Sequence, residues 1–155
     1  MTGFFAVFLA ASIAAGATGM IFKPGAWYAG LKKPSFTPPN WVFPVVWTWL
    51  YVSVAWAAAR VAMEPGSQAA LALFSLQIAL NTLWTPVFFG ARRMRLGFFV
   101  ICALWLAVAA MGWTFLGHDL LAGLLVGPYL IWVTLAAALN WRVWRDNPGA
   151  GASVN

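Results

Sequence analysis

Residues Lys33–Tyr51 read KPSFTPPNWVFPVVWTWLY, and the class of the fold turns on how this stretch changes character. Pro34, Pro38 and Pro39 fix their own φ and push the residues before them towards extended backbone, so the first half refuses helix. From Trp41 the chain becomes apolar for a membrane's width, carrying Trp47, Trp49 and Tyr51. Asn40 is a favourable N-cap for a helix beginning at Trp41. Trp47 and Tyr51, four residues apart, then share one helix face. A stiff loop above an aromatic helix suits a lid over a pocket for a flat ligand, with Lys33, Pro34, Phe36, Pro38 and Pro39 as the lid. A lipid-facing aromatic anchor with a plain connecting loop accounts for the same residues.

Composition narrows the class. Of 155 residues, 63% are apolar and 8% charged, against about 45–50% and about 25% in globular domains. That balance is predicted to give an all-α integral membrane protein. Five runs are long enough to span, at about 2–22, 41–63, 67–89, 96–116 and 120–144, forming one domain over 1–147. The tail at 148–155 reads as disordered. The first run lacks a charged leader and is read as a retained helix. The short links at 64–66, 90–95 and 117–119 predict antiparallel neighbours.

Eight of the nine basic residues fall on the side of the first loop, the third loop and the C-terminus; Arg60 alone falls opposite. The positive-inside tendency predicts an outer N-terminus and a cytoplasmic C-terminus, as in a bacterial inner membrane, with an outer membrane as the alternative. The net charge of +6 therefore reads as topology and lipid contact, not nucleic-acid binding. The carboxylates Glu64, Asp119 and Asp146 are dispersed, Cys102 and His118 are the only residues of their kinds, and no metal site or hydrolytic constellation is expected.

At about 1.5 Å per residue, Trp47, Trp84, Trp105 and Trp132 lie about 8–15 Å below the cytoplasmic helix ends. That is deeper than an interfacial belt. An indole N–H in hydrocarbon needs a partner, which predicts an inward-facing layer served by Gln77 and Asn81. The amides could equally be interhelical contacts. Pro128, Trp132, Ala136 and Asn140 form one stripe in the last span, Ala136 leaving room beside Trp132. Gly123 and Gly127 form a GxxxG, open to a packing or a dimer role.

Four stretches in order, KPSFTPPNWVFPVVWTWLY, LNTLWTPVFFGARRM at 80–94, PYLIW at 128–132 and LNWRVWRDN at 139–147, resemble the TspO/MBR family of tryptophan-rich sensory and translocator proteins. The resemblance implies a dimeric five-helix bundle that binds porphyrins such as protoporphyrin IX, and isoquinoline carboxamide or benzodiazepine-type ligands, with no cofactor required. It assigns the ligand to Trp47, Tyr51, Asn81, Trp84, Trp132 and Ala136. It also raises an alternative, light-dependent porphyrin degradation through Trp47 and Trp132. Two departures stand out. Trp141 occupies the place of the tyrosine in the family's cholesterol motif, which argues against cholesterol, and Ser35–Phe36 replaces a Trp pair found in some relatives.

Overall fold

The computed structural model describes residues 1–151. Its helices are α1 (Thr2–Ile21), α2 (Ala26–Ala29, one turn), α3 (Val42–Val61), α4 (Gln68–Thr85), α5 (Met94–His118) and α6 (Leu120–Asp146), with no strand among the described residues. A π turn over Pro86–Gly90 extends α4. Five helices are long and apolar enough to cross a bilayer, so the chain is a five-helix membrane bundle. Large apolar side chains cover its outer surface, including Trp113 (79% exposed), Ile131 and Leu106. Lipid is the solvent that tolerates them.

The bundle is a ring. α1 packs on α3 and α4, α3 on α6, α6 on α5, and α5 on α4. The links at 91–93 and 119 do join neighbours. The link between α3 and α4 does not, since these two helices scarcely touch. Residues 62–67 form a wider turn than the predicted 64–66, with Gly66 at φ +73°, a conformation that suits a residue without Cβ. α1 then occupies the seat between α3 and α4.

The packed core fills the half remote from the first loop. Ala57, Ala58 and Val61 of α3 are fully buried against Phe74, Val108, Met111, Phe115, Val126 and Val133. In lipid, close approach of small residues supplies the dispersion that holds helices together. Arg60 adds an ion pair at this end, donating through Nε and Nη2 to Asp119 Oδ2 at 2.9 and 2.6 Å. Asp119 Oδ1 accepts from Ala122 N–H at 2.8 Å and so caps α6. The Arg60 hydrogen bond, followed by the cap, holds the Asp119 carboxyl below its ordinary range.

Several sequence expectations need correction. Helix α3 begins at Val42, and no side chain caps it; Val42 N–H instead donates to Pro39 O at 2.9 Å. Of the GxxxG, Gly123 lies under Leu116 of α5, while Gly127 has open space beside it. Of the tail, residues 148–151 turn back onto the first loop, where Trp27 Nε1 donates to Ala150 O at 2.7 Å. Residues 152–155 lie outside the described residues.

Candidate functional site

In the half nearer the first loop the ring does not close on itself, leaving a cavity of about 720 Å³. All five long helices contribute to it, and Trp47, Tyr51, Asn81, Trp84, Trp132 and Ala136 all line it. Its size falls within the range of about 300–1,000 Å³ usual for small-molecule sites.

The floor is a hydrogen-bonded chain linking three helices. Tyr51 Oη donates to Asn81 Oδ1 at 3.2 Å, Asn81 Nδ2 to Tyr129 Oη at 2.8 Å, and Tyr129 Oη to Gln77 Oε1 at 2.9 Å. Polar groups without access to water must pair in this way. Gly16 of α1 makes room for Tyr51, because a Cβ there would stand 2.6 Å from Tyr51 Cε2.

The walls are aromatic. Trp47 lies 5.3 Å from Tyr51 and meets Tyr129 edge-on at 5.9 Å. Phe43 meets Trp132 edge-on at 5.6 Å, and Trp84 stacks on Phe88 at 5.1 Å. Trp84 Nε1 donates to Asn140 Oδ1 at 3.1 Å, and Asn140 Nδ2 donates to Met94 O at 2.8 Å. Trp132 Nε1 differs: it is buried and has no hydrogen-bond partner. Gln77 Nε2 shares that condition, although Gln77 does not line the cavity.

The roof is not the predicted one. None of Lys33, Pro34, Phe36, Pro38 and Pro39 lines the cavity; Phe22, Pro24, Tyr28 and Asn40 do. The single turn of α2 swings Tyr28 onto Phe89, 5.3 Å away, and burial pushes its phenol pKa up. Lys33 folds back, Nζ donating to Ala29 O and Leu31 O and resting 4.7 Å over the Tyr28 ring. Pro34 O accepts from Thr37 N–H and Oγ1 in a local turn, and Phe36 points outward, 48% exposed. Thus Lys33 braces the roof, and the prolines at 34, 38 and 39 form no part of it.

Two other expectations part from the structure. Trp105 does not join the layer: its Nε1 donates to Thr134 Oγ1 at 2.8 Å on the outside of α5 and α6, because Ile101 and Leu104 take the inward face of α5. In the last span Trp132, Ala136 and Asn140 face the cavity, whereas Pro128 is exposed. Sequence reasoning missed Phe43, although it continues the 43-47-51 stripe, and Phe88, four residues beyond Trp84. It also missed Tyr129, and nothing in the sequence singles out Gly16 among the small residues of α1.

A family model described as "TspO/MBR family" matches residues 5–145. Among relatives, protein CrtK of Rhodobacter capsulatus is 54% identical over 94% of this chain and 93% of its own. A tryptophan-rich sensory protein of Cereibacter sphaeroides is 50% identical over 92% and 90%. The translocator protein of Homo sapiens is 41% identical over 79% and 76%.

Proposed function

Since the chain belongs to the TspO/MBR family, we propose that it is a membrane sensor or translocator for a tetrapyrrole, with protoporphyrin IX the representative ligand. One observation carries the reading: a cavity of about 720 Å³ walled by the rings of Phe43, Trp47, Tyr51, Trp84, Phe88 and Trp132. Flat rings suit a macrocycle by stacking and edge contacts. Propionates would reach the basic rim at the roof, where Lys33 rests over Tyr28 and Arg92 lies 5.8 Å over Trp27. Isoquinoline carboxamide and benzodiazepine-type ligands, apolar with one or two acceptors, fit the same description, and a homodimer is part of the reading.

Titration of the reconstituted protein with protoporphyrin IX in the dark, followed by tryptophan fluorescence, tests the reading. Saturable quenching weakened at least tenfold in Trp47→Ala and Trp132→Ala supports it. Quenching that is linear, or unchanged in both variants, means partition into lipid and overturns it. A second reading, light-driven porphyrin breakdown, is favoured by the position of Trp47 and Trp132 on the cavity wall, where an oxidisable indole would touch an excited ring. Trp47→Phe and Trp132→Phe separate the two: binding retained with photoproduct lost indicates degradation.

A further inference from the structure

The roof of the cavity hangs from the connection between α1 and α3, and its polar attachment to the bundle is concentrated just beyond α6. Asn147 Oδ1 accepts from Lys32 N–H at 2.8 Å, while Asn147 Nδ2 donates to Lys32 O at 2.9 Å and to Val143 O at 2.8 Å. One carboxamide therefore satisfies both backbone groups of a residue 115 positions away in the chain and a carbonyl of the last turn of α6. Three residues on, Ala150 O accepts from Trp27 Nε1 at 2.7 Å. Trp27 is also held by Phe88, edge-on at 6.0 Å, and by the Arg92 guanidinium. Between these two attachments lie Tyr28, which lines the cavity, and Leu31, which is buried with Phe88, Met94 and Val143.

The roof needs this help. α2 has four residues, far too few to hold a helical turn unaided. The Asn147 bonds to Lys32 are solvent-exposed, so they belong to the part of the structure that opens most easily. Asn147 does not line the cavity and so acts on a ligand only through the roof.

We propose that Asn147 is a positioning residue, a latch that ties the roof segment 24–33 to the end of α6, so that release of the latch sets how fast ligand passes the loop-side mouth. The ligand half of this statement rests on the tetrapyrrole reading, whereas the latch itself does not.

The test uses the full chain in lipid nanodiscs, comparing wild type with Asn147→Ala, Asn147→Asp and Trp27→Phe. Without ligand, hydrogen exchange across 26–33 is expected to rise about tenfold in Asn147→Ala, with α4 and α5 unchanged. Asn147→Asp keeps an acceptor for Lys32 N–H, and the Lys32 amide should stay closer to wild type. With protoporphyrin IX, association and dissociation rates should rise together by several-fold in Asn147→Ala, leaving Kd within about twofold. A residue that only shaped the cavity would change Kd instead. Unchanged exchange across 26–33 overturns the latch. Raised exchange with unchanged porphyrin rates overturns its role at the mouth. Should wild type bind no porphyrin, the tetrapyrrole reading fails separately and the exchange measurement still decides the latch. Asn147→Asp and Trp27→Phe carry the test if Asn147→Ala does not fold.

Discussion

The Tyr129 hydroxyl accepts from Asn81 and donates to Gln77, so Tyr129→Phe removes one oxygen and strands two buried groups. Such a group costs about 1–3 kcal/mol, and that loss should appear in thermal unfolding in detergent. Because Asn81 is then free to turn from Tyr51, porphyrin affinity should fall as well. At the opposite end, the Asp119 carboxyl is held below its ordinary value of 3.8 by Arg60. A group whose folded pKa is depressed stabilises the fold above its unfolded pKa, and that contribution fades as pH falls through the folded one. The stability gap between wild type and Asp119→Asn should therefore be constant at neutral pH and close below about pH 4; a gap that persists in acid would count against the ion pair. At this scale depth put Trp47, Trp84 and Trp132 on the cavity but gave their indoles the wrong partners: Gln77 and Asn81 serve Tyr129 and Tyr51, Trp84 donates to Asn140, and Trp132 Nε1 has no partner. Trp105 was misplaced because depth along a helix gives height and says nothing of azimuth; the inward face of α5 belongs to Leu104, one residue and about 100° away.

The long elements were read from sequence to within a few residues, because an apolar run of spanning length has few alternatives in water or lipid. What was not legible is how they are ordered around the ring. Short links imply neighbours, yet α3 and α4 part company to admit α1, and that choice depends on side-chain fit such as Gly16 under Tyr51. The roof was misread for a related reason: prolines announce a stiff segment without saying which side of it faces inward. Two glycines of α5 turn this into a test. A Cβ at Gly97 would stand 3.1 Å from both Asn140 Oδ1 and Phe88 Cδ2, and one at Gly112 would stand 3.2 Å from Val126 Cγ1. Overpacking opposes the gain of about 0.5–1 kcal/mol that Ala has over Gly inside a helix, so Gly97→Ala and Gly112→Ala should each leave stability within about 1–2 kcal/mol of wild type. Only Gly97→Ala presses on Asn140, the acceptor for the Trp84 indole, so it alone should weaken porphyrin binding in the fluorescence titration. Equal loss of affinity in both would mean that the cavity responds to general loosening of the bundle.

At the scale of the whole molecule, charge and cavity share one end. Lys23, Lys32, Lys33, Arg92, Arg93, Arg95, Arg142 and Arg145 all lie beside the roof or at the helix ends around it, whereas Arg60 stands alone at the far end and is neutralised by Asp119. Eight of the nine bases thus stand at the cavity end, the Lys and Arg asymmetry that orients a helical bundle during insertion. The mouth of the cavity should then face the cytoplasm, which would let a ligand made or used there reach the roof directly. Labelling decides it. In a Cys102→Ala background, Ser35→Cys reports on the roof end and Glu64→Cys on the turn between α3 and α4, both positions being exposed. A membrane-impermeant maleimide added to sealed spheroplasts should modify Glu64→Cys and spare Ser35→Cys, with the pattern reversed in inverted vesicles. The opposite pattern would place the mouth outside, and the basic rim would have to be explained by its ligand rather than by topology.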